Sequence, residues 1–389
     1  MRKGFYTLLV AQFLSALADN ALLFTAIALL QQLHAPDWHK PLLLQFFVIS
    51  YIVLAPFVGS FADAIPKGRV MFISNGIKFV GSLAMILGMP PLFAYGIVGI
   101  GAAAYSPAKY GILTELLPPH KLVTANGWME GSTVIAIILG AIIGGQMASV
   151  DPQLSMIAVA ALYLTAAAFN IFIPKLPKDH SIPKKDLLFI LRDFYQSFFA
   201  LWKDPQGQVS LSVTTLFWGA GATLRLVVIA WAVLTFKFGL DQATLLTAAV
   251  ALGVAVGSVI AARVITLENS VKVLPAGILM GVMVISMAWI TEWHWATLLL
   301  FCIGVLSGFF VVPLNALLQH RGHLLIGAGH SIAVQNFNEN IGILLLSGAY
   351  TLMVKAGLHI NHIVIIFGLF VIITMGAINR LYSQKLIRV

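Results

Sequence analysis

Apolar stretches of about 20 residues, the length that crosses a bilayer core, recur about twelve times in this chain of 389 residues. They fall at 5–33, 41–62, 70–89, 91–115, 122–149, 154–174, 209–236, 242–265, 271–291, 294–319, 326–356 and 358–380. Hydrophobic residues make up 60% of the chain and charged residues only 10%, against about 25% charged in an ordinary soluble domain. So little polar surface cannot cover a soluble protein of this size. The chain reads as an all-α polytopic membrane protein.

The start, MRKGFYTLLVAQFLSALADNALLF, raises a competing possibility. Two cations, an apolar run and a small-residue Ala16-Leu17-Ala18 site are the parts of a secretory signal. Cleavage there would strand the apolar second half, Ala21 to Leu30, without a partner. The run therefore reads as one membrane span, with Asp19 near its middle. The lone Cys302 supports no intramolecular disulfide and no metal cluster, and no cofactor is expected.

A formal charge of +9 could point to nucleic acid, but the distribution excludes it. Lys40, Lys237 and Lys355 fall on one side of the membrane, Lys78, Lys109 and Arg225 within spans, and the other 17 of 23 Lys and Arg on the opposite side. That asymmetry obeys the positive-inside rule and puts both termini in the cytoplasm.

One long polar stretch, PKLPKDHSIPKKDLLFILRDFYQSFFALWKDPQG, separates six spans from six. Lys175, Lys178, Lys184 and Lys185 mark its first part as a cytoplasmic loop. In its second part Leu187, Ile190, Leu191, Phe194, Phe198, Leu201 and Trp202 recur at helical spacing, opposed by Arg192, Asp193 and Gln196. This predicts a helix lying in the membrane interface. The expected domains are a six-helix bundle over 1–174, a linker with its interfacial helix over 175–208, and a second six-helix bundle over 209–389.

Two six-span halves joined by a basic bridge resemble the major facilitator superfamily, whose halves rock about a central site. GSFADAIPKGRV strengthens the likeness: Gly59, Asp63, Lys67, Gly68 and Arg69 are similar to that superfamily's signature loop. There a carboxylate in a tight turn accepts hydrogen bonds from a neighbouring helix end and releases them as the halves rock, so Asp63, Gly68 and Arg69 form the expected conformational switch. The second-half counterpart, RVITLENSVK, keeps Arg263, Glu268 and Lys272 but has no glycine.

Ionisable residues inside spans cost roughly 2.5–3.5 kcal/mol for Asp, Lys or Arg at a helix centre, so they should face a cavity or a partner. Asp19 shares a face with Gln12 and Ser15, and Asn20 points partly aside. Arg225 follows Thr214, Trp218 and Gly221 on one face, where its planar guanidinium suits a phosphate or carboxylate. Its alternative is a salt bridge to Asp19 in one conformation. Ser331, Gln335, Asn338 and Glu339 line another polar face. Lys109, after Pro107, is balanced between substrate contact and a bridge to Glu130. Lys78 is long enough to snorkel to the interface and is set aside. Gly131, Gly140 and Gly144 of the fifth span are explained by close helix packing.

Acids, one arginine and amides amid apolar surface fit an amphipathic zwitterion. The segments AQFLSALADNALLF, GAAAYSPAKYGIL, LFWGAGATLR, GFFVVPLNALLQHRG and GAGHSIAVQNFNEN resemble the family of bacterial inner-membrane lysophospholipid transporters. The resemblance implies flipping of lysophospholipids, chiefly 2-acyl-glycerophosphoethanolamine, from outer to inner leaflet, with Asp19, Arg225 and Glu339 as head-group residues. It further implies re-acylation by a partner acyltransferase/acyl carrier protein synthetase. Uncoupled facilitated diffusion by a monomer is expected, with ion coupling through Asp19 or Glu339 second. The rival is a proton-coupled multidrug or amphiphile exporter. An enzyme is not expected, since no H-x4-D pair, G-x-S-x-G elbow or P-loop occurs.

Overall fold

The computed structural model describes residues 3–35, 39–174, 187–238 and 240–387. Among them are thirteen α-helices and no strand. They are α1 (Lys3–Gln32), α2 (His39–Ala64), α3 (Lys67–Ile86), α4 (Pro91–Leu116), α5 (Leu122–Val150), α6 (Pro152–Ile171) and α7 (Leu187–Lys203). After these come α8 (Pro205–Phe236), α9 (Leu240–Val264), α10 (Leu274–Ser286), α11 (Trp293–Ile326), α12 (Ala328–Lys355) and α13 (Ile360–Ile387). Every expected span coincides with one of these helices, α10 being extended at both ends by 3-10 turns. The expected interfacial helix is α7. The basic first part of the linker, with Lys175, Lys178, Lys184 and Lys185, lies outside the described residues.

Ten of the helices are long and apolar enough to cross a membrane. Helices α4 and α12 are not among the ten, because both carry polar residues in mid-span: Ser106, Pro107 and Lys109 in α4, and Gln335 to Asn340 in α12. Local sequence sets the helix boundaries. Asp151 accepts hydrogen bonds from the N–H groups of Gln153 and Leu154, and Asp204 one from Gly207, so both cap helices that open on proline. Gly327 has φ +96°, a conformation open to glycine, and it breaks the chain between α11 and α12.

The chain forms two compact units. The first comprises residues 1–118, 135–200 and 322–337, and the second 119–134, 201–321 and 338–389. In the first, α3 packs on α4 and α6, α2 on α4, and α1 on α6. Its apolar core runs through Leu22, Ala26, Leu43, Tyr95, Val98 and Tyr163. Gly140 and Gly144 of α5 let that helix touch α1, for a Cβ at either would lie 2.7 or 2.5 Å from the α1 backbone. In the second unit α10 packs on α13, and α8 on α9 and α13. Helices α9 and α11 meet backbone to backbone: a Cβ at Gly253 or Gly257 would sit 2.1 or 2.0 Å from a carbonyl oxygen of α11. Gly304 and Gly308 return the same fit towards α9. Paired small residues four apart give this backbone contact in membrane helices.

Candidate functional site

The face of α1 that carries Gln12, Ser15 and Asp19 turns into the first unit. Gln12 and Ser15 are each 1% exposed. Asp19 is fixed from both sides: its Oδ2 accepts a hydrogen bond from Lys78 Nζ at 2.7 Å, and its Oδ1 one from the Tyr163 hydroxyl at 2.8 Å. Lys78 also donates to Ser15 Oγ at 3.0 Å, and Ser15 donates onward to Asn75 Oδ1 at 2.8 Å. The ammonium lies 4.8 Å from the Tyr105 ring centroid and 5.7 Å from that of Tyr163, within cation–π range.

This corrects the expectation for Lys78. It does not snorkel; it is 1% exposed and ion-paired with Asp19. A buried carboxylate and a buried ammonium each cost several kcal/mol when alone, and pairing them is what allows both to sit inside the helix bundle.

A cavity of about 70 Å³ opens beside the pair, lined by Gln12, Ser15, Asp19, Tyr51, Lys78, Tyr105, Ser106 and Lys109. Asp19 retains 23% side-chain exposure. Two expected site residues, Asp19 and Lys109, therefore share one pocket. The Lys109 ammonium lies 4.2 Å from the Tyr110 ring centroid. Asn20 is not in this lining; it donates to the Ala16 carbonyl at 2.8 Å. Asn336, which sequence reasoning did not single out, hydrogen-bonds Ser106 of the lining through both amide atoms, at 2.9 and 3.3 Å. Gln335 is buried in the same segment.

The remaining expected residues belong to the second unit. On α8, Thr214 is buried, Trp218 half-buried, and Gly221 and Arg225 exposed. A Cβ at Gly221 would meet nothing within 4 Å, so open space lies one turn before Arg225. Arg225 makes no hydrogen bond or ion pair among the described residues. Asn338 and Glu339 of α12 are 9% and 7% exposed. Lys109 belongs to the first unit and Glu130 to the second.

Asp63 holds the end of α2 to the start of α12. Its Oδ1 accepts from Gly329 N at 2.7 Å and Lys67 Nζ at 3.2 Å, and its Oδ2 from His330 N at 3.1 Å and His330 Nδ1 at 2.7 Å. The backbone N–H groups that open a helix have no partner within it, and an anion there also meets the positive end of the helix dipole. Lys67, 2% exposed, pairs with Glu115 as well. Gly68 packs so closely that a Cβ would lie 3.2 Å from Ile173. Arg69 is exposed and makes no ion pair among the described residues. The cation beside Asp63 is Lys67.

His330 Nε2 also meets Asp193 Oδ2 at 3.1 Å and Ser60 Oγ at 3.0 Å. Asp193 was expected on the solvated face of α7, and this contact reverses that reading. The docked face carries Asp193, Phe194 and Ser197, with Phe194 stacked edge-on to Phe337 at 5.5 Å. Leu188, Leu191, Tyr195 and Phe199 face outward, exposed.

Comparison with known proteins places this fold. A family model described as Major Facilitator Superfamily matches residues 8–347, and the chain belongs to that superfamily of multi-pass membrane proteins. Among curated proteins, the lysophospholipid transporter LplT of Yersinia enterocolitica is 47% identical over 359 residues, covering 92% of this chain and 89% of that one. The protein of that name from Escherichia coli O1:K1 is 47% identical over 368 residues, covering 94% and 92%. Within the superfamily, the chain belongs to the family of these relatives. Solved structures of like fold include the human organic anion transporter MFSD10, with a TM-score of 0.79 at 15% identity over 97% of this chain and 100% of that one. The E. coli fucose:proton symporter FucP matches at 0.77 and 14% identity, over 98% of each chain.

Proposed function

We propose that this protein moves lysophospholipids, chiefly 2-acyl-glycerophosphoethanolamine, from the outer to the inner leaflet of a bacterial cytoplasmic membrane. The single observation that carries the proposal is the Asp19–Lys78–Lys109 pocket, opposite charges around a small polar cavity, in a chain whose 47%-identical relatives are named for lysophospholipid transport. A head group that is both anion and cation needs both signs in one place, and the partly buried setting of the pair strengthens each contact.

Asp19 takes the ammonium, supported by the amides of Asn20, Gln335 and Asn338. Arg225, beside Trp218, offers a guanidinium to phosphate, and Glu339 supplies a second carboxylate. The bundles over 1–174 and 209–389 rock about the linker, with Asp63, Gly68 and Arg69 in the switching turn and both termini cytoplasmic. Transport is facilitated diffusion by a monomer, and a partner acyltransferase/acyl carrier protein synthetase consumes the product. The protein itself makes and breaks no covalent bond.

The test is leaflet-resolved movement of labelled lysophosphatidylethanolamine in proteoliposomes, with and without proton and sodium gradients. Movement without a gradient is expected. Dye export that collapses with the proton gradient, with the lysolipid left in its original leaflet, overturns the reading. In the same assay Arg225→Lys, which keeps charge but loses the planar fork, should lower flux about tenfold or more, the scale of one charged hydrogen bond.

A further inference from the structure

Lys78 does more than neutralise Asp19. We propose that it is a head-group ligand: the Asp19–Lys78 pair opens and exchanges partners with a zwitterion, Lys78 passing to the phosphate while the substrate ammonium takes its place on Asp19. This rests on the lysophospholipid reading above and assigns a residue and a selectivity to that same site.

Three observations lead there. The first is access. The pair sits in the wall of a cavity of about 70 Å³ where Asp19 keeps 23% side-chain exposure, so an ammonium arriving on a head group can reach that carboxylate only by displacing the one already bound to it. The Lys78 ammonium is carried on a flexible four-carbon stem, so it can leave Asp19 without moving the helix backbone.

The second observation is the seat of the ammonium. A carboxylate oxygen at 2.7 Å, a hydroxyl at 3.0 Å and two tyrosine rings surround it. That combination receives any primary ammonium, including one that arrives on a lipid. Ser15 gives its proton to Asn75, so its lone pairs stay turned to whatever cation is seated. The Tyr105 hydroxyl is buried at the cavity wall and makes no hydrogen bond of good geometry, a donor left over for an incoming oxygen.

The third is charge. The pair is neutral, and so is the head group. Inserting a lone cation or anion would leave one buried charge without a partner, at a cost of several kcal/mol. Swapping one neutral ion pair for two crossed ones leaves none. The exchange at this pair therefore favours zwitterions over simple amines or simple phosphates.

Flux of lysophosphatidylethanolamine and lysophosphatidylglycerol, measured side by side in proteoliposomes, tests it. Asp19→Asn removes the ammonium's partner and frees Lys78, so the ethanolamine lipid should lose about tenfold or more while the glycerol lipid loses less. Lys78→Met removes the phosphate's partner and leaves Asp19 bare, so the glycerol lipid should lose more. The ethanolamine-to-glycerol ratio then moves in opposite directions in the two variants. The double variant Asp19→Asn/Lys78→Met is neutral; a pair serving only to keep the fold uncharged would recover both fluxes in it, whereas both should stay low. Recovery, or a ratio that shifts the same way in both single variants, overturns the proposal.

Where a variant does not fold, the wild-type protein still decides. Glycerophosphoethanolamine should inhibit flux at least about tenfold more strongly than ethylammonium or glycerophosphate alone, and equal inhibition by a single ion sinks the exchange. Failure of the wild-type protein to move either lysolipid would refute the proposed function itself, a separate result.

Discussion

Two turns occupy corresponding places in the two halves of the sequence, and their carboxylates live differently. Asp63, in the last turn of α2, is 1% exposed and accepts four hydrogen bonds, three of them from Gly329 and His330. Glu268, after α9, is exposed, as are Arg263 and Lys272 beside it. A solvated charge in such a turn contributes little, because water and salt screen it. A buried one that holds another helix's first N–H groups is a latch, because releasing it leaves orphaned donors and a bare anion. The lesson is that the strength of such a latch comes from burial rather than from the number of charges in the turn.

The comparison breaks most visibly at Asp63. Asp63→Ala should destabilise the protein by about 3–5 kcal/mol, the scale of deleting one member of a buried charged cluster, read as a fall in thermal unfolding temperature in detergent. Gly329→Ala comes next. Its Cβ would lie 2.6 Å from Asp63 Oδ1 and 2.8 Å from Ala62 Cβ, so about 1–3 kcal/mol of overpacking is expected, with flux reduced by a loosened latch.

A subtler effect separates Asp204 from both turns. Burial pushes its carboxyl up, but the hydrogen bonds from Arg321 and the Gly207 N–H outweigh that and hold it below the ordinary 3.8. A lowered folded value means the group stabilises the fold above its unfolded value and ceases to do so as pH falls through the folded one. Thermal stability of Asp204→Asn should lie below wild type near neutrality, and the gap should close at acid pH, from about 3.8 downward. A gap independent of pH would mean the ion pair to Arg321 contributes nothing. Smallest of all, Glu268→Gln and Arg69→Ala should each leave the thermal unfolding temperature at the wild-type value. A loss at Glu268 would erase the contrast between the turns.

Much of this architecture was legible in the residues because apolar length and charge bias are local properties. The helices, the amphipathic α7 and the buried face of Gln12, Ser15 and Asp19 follow from composition and a period of 3.6. Partners are not local. Lys78 lies 59 positions from Asp19, and no periodicity specifies which face of α3 meets α1. A signal was nonetheless present: Ser74, Asn75, Lys78 and Ser82 fall on one stripe of α3, and all four are buried. A lysine amid small polar residues on one face points to a polar interior rather than to the interface. Asp193 was misplaced for the opposite reason. Reading α7 as a membrane-surface helix assigned its charges to water, whereas His330 draws this one inward. Arg69 fits the motif by spacing, yet Lys67, one turn from Asp63, has the geometry.

The glycine contact between α9 and α11 has a mechanical consequence. Where two backbones touch through Gly253, Gly257, Gly304 and Gly308, there is no layer of side chains to shear, and sliding one helix by a single residue would drive a methyl or a larger group into a carbonyl. These two helices must travel as one rod. Whatever bending accompanies transport in that unit is displaced to helices joined by softer, side-chain-filled contacts, and stiffness there is written in the four residues with nothing to offer but their smallness.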